Sequence, residues 1–189
     1  MALDDIHPSS FGRLIFLRCT ASLLKQLGGE TGPETPSSSR LGDWDAKLVA
    51  TRPKHLVLCT NERTLLSVVI PLAPAKELRS RFAAAAEQLI RRIPASAELI
   101  DAEIAALSNI QLGRAHNRSV RSSMTHFGYA VEAWLAHERG LDLADMSLWL
   151  CDTPCVPLET DWPWLEAELV VTGSVAPGRQ PLKHRDHVI

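Results

Sequence analysis

His55–Leu72, H-L-V-L-C-T-N-E-R-T-L-L-S-V-V-I-P-L, is the stretch on which the fold turns. Two runs rich in β-branched and aliphatic residues, His55–Thr60 and Thr64–Leu72, flank the short polar connection Asn61-Glu62-Arg63. That pattern predicts a β-hairpin, with Pro71 and Pro74 stopping its second strand. Towards the N-terminus, Arg13–Cys19 (R-L-I-F-L-R-C) is a further strand, and Ala46–Ala50 is a candidate strand led in by Leu41–Asp45. Thr20 caps a short helix through Leu27 that Gly28 and Gly29 end. Residues 28–42, with Gly, Pro and Ser in excess, are expected to form a flexible surface loop.

Beyond the hairpin the period changes. In Ala75–Ile93, residues Leu78, Phe82, Ala85, Ala86, Leu89 and Ile93 recur at helical steps. Glu98–Leu107 fits a short helix about as well as a strand. A second long helix is expected from Asn117 or Ser119 to about Arg139, burying Val120, Met124, Phe127, Val131, Trp134 and Leu135. Asp142–Leu150 is one more short helix, and 162–171 (W-P-W-L-E-A-E-L-V-V) a short helix or edge strand. The expected fold is α+β, a small mostly antiparallel sheet packed against two long helices and shorter helices. It forms one domain over 13–172, between a loose N-terminal arm at 1–12 and a flexible tail at 173–189.

The chain has 189 residues, 46% of them hydrophobic, and a net charge of -2. Such a balance supplies no global field that would draw it to nucleic acid or an acidic membrane. No apolar run reaches membrane-span length, and Leu14–Leu17, preceded by Asp4 and Asp5, is too short for a signal-peptide core. The expectation is a cytoplasmic protein. Of the four cysteines, Cys19 and Cys59 sit in apolar runs and read as small buried hydrophobes. Cys151 and Cys155 form C-x3-C with no second pair nearby. Reduced thiols are therefore expected, with His184 and His187 of the tail the only partners in sight for a metal.

The densest polar stretch is Gly113–Met124, G-R-A-H-N-R-S-V-R-S-S-M, which places Arg114, His116, Asn117, Arg118, Ser119, Arg121 and Ser122 directly ahead of or within the start of an apolar helix. A helix start exposes N–H groups and partial positive charge, so donors gathered there suit a phosphate or carboxylate. Arg118 and Arg121, three apart, share a face. The candidate ligand-binding set adds Asp43, Trp44, Asn61 and His126. A plain structural reading competes at each: Asn117 as helix cap, Arg118 as an ion-pair partner of Asp43 or Glu62, Trp44 as a core anchor, Asn61 as a turn residue, and Glu62 and Arg63 as solvated side chains.

Catalytic signatures are absent. The chain has no G-x-S-x-G elbow, no P-loop or dinucleotide fingerprint and no H-E-x-x-H. His126 lies four residues from Ser122, on one helical face, with no acid evidently placed to orient its imidazole. No cofactor and no metal is expected.

Three motifs in order, L-G-D-W at 41–44, N-x-x-T-L-L-S-V at 61–68 and N-R-S-V-x-x-S-M at 117–124, resemble an uncharacterised bacterial family known only as a domain of unknown function. Some of its members look mobile-element or plasmid associated. The resemblance spans roughly residues 13–150 and implies helices packed on a small, mostly antiparallel sheet; it implies no reaction. The family's pattern resembles N-R-S-V-L-G-S-M-N-D, against which this chain has Arg121, Ser122, Thr125 and His126, so the family's acid is replaced by a histidine.

The leading functional expectation is a non-enzymatic binding or regulatory module whose polar pocket, centred on Arg118, takes the anionic group of a phosphate-containing ligand or an acidic partner. One alternative is a small hydrolase or nuclease-like enzyme using Asp43, Arg118 and His126. Another is a protein-interaction subunit of a toxin–antitoxin-like or mobile-element complex, touching a protein partner or a second copy through Trp149–Trp164.

Overall fold

A computed structural model describes residues 13–28, 31–33, 35–51, 54–137 and 142–175. The expected N-terminal arm, and the expected tail beyond residue 175, lie outside the described residues. In chain order the elements are β1 (Ile15–Cys19), α1 (Ala21–Leu27), β2 (Trp44–Val49), β3 (Leu56–Asn61), β4 (Ser67–Pro71), a 3-10 turn (Ala75–Glu77), α2 (Leu78–Ile90), α3 (Ala97–Ala106), β5 (Ile110–Arg114), α4 (Arg118–His137), α5 (Leu143–Cys151) and α6 (Pro163–Thr172).

The five strands make one mixed sheet in the order β4-β3-β2-β1-β5. The hairpin expected at 55–72 forms as β3 and β4, and β2 extends it antiparallel through Trp44↔Asn61 to Val49↔Leu56. The other half of the sheet is parallel, with β1 beside both β2 and β5. The antiparallel expectation thus describes β2-β3-β4, and β5 adds a strand the sequence reading lacked. Ile110–Arg114 (I-Q-L-G-R) holds two apolar residues, Ile110 and Leu112, so its alternation is too short to announce a strand and it has no apolar run. The ambiguity at 98–107 resolves to helix, because the Ser96 side chain accepts from the Leu99 N–H and caps α3. The other ambiguous segment is also helical: α6 starts with Pro163 in its first turn and ends on Gly173.

Two apolar layers sandwich the sheet. On one face Ile15, Leu17, Cys19, Trp44, Ala46, Val57, Cys59, Val68 and Ile70 pack against residues of α1, α2, α3 and α6. On the other, Val49, Leu56, Leu58 and Val69 meet Val120, Met124, Phe127 and Val131 of α4 and Met146 and Leu150 of α5. Alternating side-chain direction along each strand accounts for the division. Trp44 belongs to the first layer: it is buried edge-on against Phe82 of α2, with ring centroids 5.3 Å apart. This corrects its place among ligand-binding candidates, since a side chain sealed under a helix has no face to offer a guest.

The loop ahead of β2 is pinned rather than loose where it is described. Glu103 of α3, itself buried, accepts from the Ser39 hydroxyl and from the backbone N–H groups of Arg40 (2.9 Å) and Leu41 (3.1 Å). Ser38 donates its backbone N–H to Leu14 and accepts from the Leu14 N–H. Gly42 then turns the chain with φ 77°, a conformation that suits glycine, and delivers Asp43 to the sheet.

At its β4 edge the sheet is closed by side chains of α5. The outward N–H of Ser67 donates to Cys151 Sγ, that of Val69 donates to Ser147 Oγ at 2.9 Å, and Pro71, two residues on, has no N–H to satisfy. An edge managed in this way presents no donors to a foreign strand. The tryptophans proposed as a contact patch are largely committed: Trp164 is buried, and Trp149 packs on Trp134 with centroids 5.2 Å apart. Among the described residues no helix is long and apolar enough to cross a membrane.

Candidate functional site at the carboxyl ends of β1 and β5

Parallel neighbours β1 and β5 end side by side, and the chain leaves them towards opposite faces. From β1 it enters α1, which packs in the first layer; from β5 it enters α4, which packs in the second. A crevice outside the carboxyl ends of such strands is where open α/β sheets generally take ligands. The connection from β5 is Ala115-His116-Asn117, the start of the polar stretch singled out in the sequence.

Asn117 caps α4. Its side-chain oxygen accepts from the N–H groups of Ser119 (3.1 Å) and Val120 (3.2 Å). Arg114, His116, Arg118, Ser119, Arg121, Ser122 and His126 are all exposed. Among the described residues Arg114, Arg118 and Arg121 enter no ion pair. The expected partnership of Arg118 with Asp43 or Glu62 is therefore corrected: both acids pair with Arg18 of β1. Arg18 Nη2 donates to Asp43 Oδ2 at 2.8 Å, and its Nε lies 3.3 Å from Glu62 Oε1. Asp43 is committed further, accepting the Phe16 N–H on Oδ1 at 2.9 Å.

Asn61 is also spoken for. It donates to the carbonyls of Leu41 and Asp43, and accepts from the Arg63 and Thr64 N–H groups and the Thr64 hydroxyl. It is the buried pin of the hairpin turn, which runs through Leu65 at φ 57° before β4 begins at Ser67. Asp43 and Asn61 thus meet, without Arg118 between them. His126 stands eight residues beyond Arg118 on the same helix, about 12 Å along its axis, and Asp43 lies buried in the sheet layer. The trio Asp43, Arg118 and His126 does not converge on one atom.

The sequence reading passed over a second set of groups. On the face covered by α4, one row crosses the whole sheet in register: Gly113, Arg18, Asp45, Thr60, Ser67. Gly113 fits closely there: a Cβ would stand 3.3 Å from Phe16 Cδ1 and 3.4 Å from Arg18 Cγ, so those side chains would have to give way slightly. Thr60 and Ser67 bond each other at 2.9 Å, and Ser67 donates to the Leu65 carbonyl. Asp45 is 0% exposed, and neither of its carboxylate oxygens receives a hydrogen bond from a donor among the described residues.

Its neighbour is another carboxyl, Glu62. Burial first, and then the charge of Glu62, push Asp45 from the ordinary aspartate range up to about 7; His116, Arg18 and Arg121 offset part of the rise. Glu62 is raised too, chiefly by burial and with Asp43 adding to it, against the lowering effects of Arg18, His116 and a hydrogen bond with Asp45. A buried carboxyl beside a half-buried one shares a proton with it more readily than both ionise. The signals that could have exposed this set were a charged residue in each of two apolar strands, Arg18 in I-F-L-R-C and Asp45 in W-D-A-K-L-V.

All four cysteines are free and buried. Cys151 is pushed up to about 12 and Cys155 to about 11, in both cases chiefly by burial. Among the described residues no group of three or more His, Cys, Asp or Glu is arranged to hold a metal ion; His184 and His187 lie outside them. A cleft of about 280 Å³ opens at the far edge of the sheet, between β4, α2 and α5. The Arg81 guanidinium on its rim is occupied by the carbonyls of Leu72, Ala73 and Pro74.

No curated protein and no solved structure matches the chain. One family model does, over residues 16–166, from β1 into α6. By that match the chain belongs to the family described as a domain of unknown function (DUF6933).

Proposed function

We propose that this chain is a binding module that takes a phosphate-like anion at the start of α4, above the carboxyl ends of β1 and β5. The observation that carries the reading is the exposure of Arg114, His116, Arg118 and Arg121 around a switch point of the sheet, where the arginines enter no ion pair among the described residues. Guanidinium groups there are available to a planar or tetrahedral anion in the bidentate geometry that arginine favours. The helix contributes its partial positive charge, although Asn117 already occupies two of its first N–H groups. Asp43 and Asn61 hold the floor of the region in place and do not contact the anion.

A titration of the protein with inorganic phosphate, followed by backbone amide shifts, tests this. Saturable shifts are expected at residues 114–121, and Arg118→Ala combined with Arg121→Ala should weaken binding at least about tenfold, the ordinary worth of a charge-assisted contact. Because these side chains are exposed, the melting temperature should stay within about 2 °C of the parent. Shifts scattered over the surface without saturation, or binding indifferent to both substitutions, would overturn the reading.

A further inference from the structure

Beneath the basic rim, charges and hydrogen bonds do not balance. Arg18 is the buried cation at the centre, and it already serves Asp43 and Glu62. Asp45 makes a third carboxyl, fully buried, with no donor supplied to either oxygen among the described residues. Folded proteins satisfy the great majority of buried polar atoms, so a carboxyl left with two acceptor oxygens calls for an explanation. One proton shared with Glu62 fills part of that capacity and leaves acceptor oxygens over.

Position supplies the explanation. Asp45 sits next to Arg18 in the row that ends at Gly113, immediately before the Arg114–Arg118 stretch. The groups whose charge reaches it are Glu62, His116, Arg18 and Arg121, from the hairpin turn, the β5–α4 connection, β1 and α4. Glu62 is the member of the pair that meets solvent, with its side chain 18% exposed. Donor-rich side chains on the rim and donor-hungry carboxyls just inside make a site with two unlike halves.

We infer that the region recognises a phosphate ester of a polyol, a sugar phosphate: the phosphate lies against His116, Arg118 and Arg121, and neighbouring hydroxyls donate to Glu62, the member of the carboxyl pair that meets solvent and that buried Asp45 backs. Adjacent hydroxyls are the chemistry that offers two donors to one carboxylate. The inference rests on the anion reading above and adds the class of molecule that bears the anion.

Inorganic phosphate and ribose 5-phosphate, titrated in parallel at pH 7.5, separate the two. The native protein should bind ribose 5-phosphate at least about tenfold more tightly than phosphate, since each hydrogen bond to a charged acceptor is worth that much. In Asp45→Asn and in Glu62→Gln this ratio should collapse towards one, while inorganic phosphate still binds. Taking the ratio removes the uniform gain that any lost negative charge gives to both anions. Equal affinities in the native protein, or a preference that survives both substitutions, would overturn the inference and leave the anion reading standing. Failure of both probes to bind would overturn the anion reading itself.

Discussion

The two halves of the sheet treat the same row of polar side chains in opposite ways. In the antiparallel half, Thr60 and Ser67 bond each other, Asn61 fills its side-chain capacity within the turn, and α5 closes the β4 edge through Ser147 and Cys151. In the parallel half, Arg18 serves Asp43 and Glu62 among others, and Asp45 is left without a donor among the described residues. Thr60 and Ser67 are buried as completely as Asp45, so burial does not explain the contrast. A region that satisfies every polar group serves stability. One that leaves a carboxyl short gives up stability, and such sites are where function concentrates.

The satisfied half should suffer most from the loss of one side chain. Asn61→Ala strands the Leu41 carbonyl and the Thr64 N–H, frees the Arg63 N–H, and takes from the Asp43 carbonyl one of its two donors, the other being the Glu62 N–H. It should cost about 3 kcal/mol or more in a denaturant melt. A loss under 1 kcal/mol would mean that the turn does not depend on this side chain.

Asp45→Asn should act with the opposite sign. The folded-state value of Asp45 is raised, from 3.8 to about 7. Between those values the folded chain keeps a proton that the unfolded chain has released, so this group makes stability fall as pH rises from about 4 to about 7 and leaves it level above. The asparagine variant should lack most of that decline, with Glu62 retaining a remnant. At pH 8 it should be more stable than the parent by on the order of 2 kcal/mol, a fraction of the full shift after relaxation. Thermal melts from pH 4 to pH 8 check this; a variant as pH-sensitive as the parent, or less stable throughout, would show that Asp45 is already satisfied.

The smallest expected effect is at the sheet edge. Ser147→Ala removes the acceptor of the Val69 N–H and should cost about 1 kcal/mol, with a greater tendency to associate on heating. Light scattering alongside the melt separates the two effects.

How far the sequence led follows from the range of the signals. Local patterns were legible: the hairpin, the helices at 78–90 and 118–137, and the cap at Asn117 all rest on spacing within one turn or one strand. Thr20 does stand at the start of α1, but its side chain makes no capping bond. Strand β5 was not, because it is held by pairing with β1 rather than by its own composition. The charged set was half legible. Asp43 stood out in L-G-D-W, but its partner lies 25 residues earlier in chain, in a parallel strand, and nothing local favours Arg18 over Arg118. Asp45 was hidden by its apolar neighbours, and Glu62 read as turn surface because its burial comes from elements far along the chain.

Glu103 has a bearing on how the protein comes into being. It grips Ser39, Arg40 and Leu41, more than sixty residues upstream, and so sets the point from which Asp43 and Asp45 enter the sheet. A nascent chain emerging from the ribosome can complete its early hairpin well before that grip exists. The acidic cluster acquires its final placement only after α3 has been synthesised and docked, and the basic start of α4 follows soon after. Both are therefore completed late, within one stretch of synthesis.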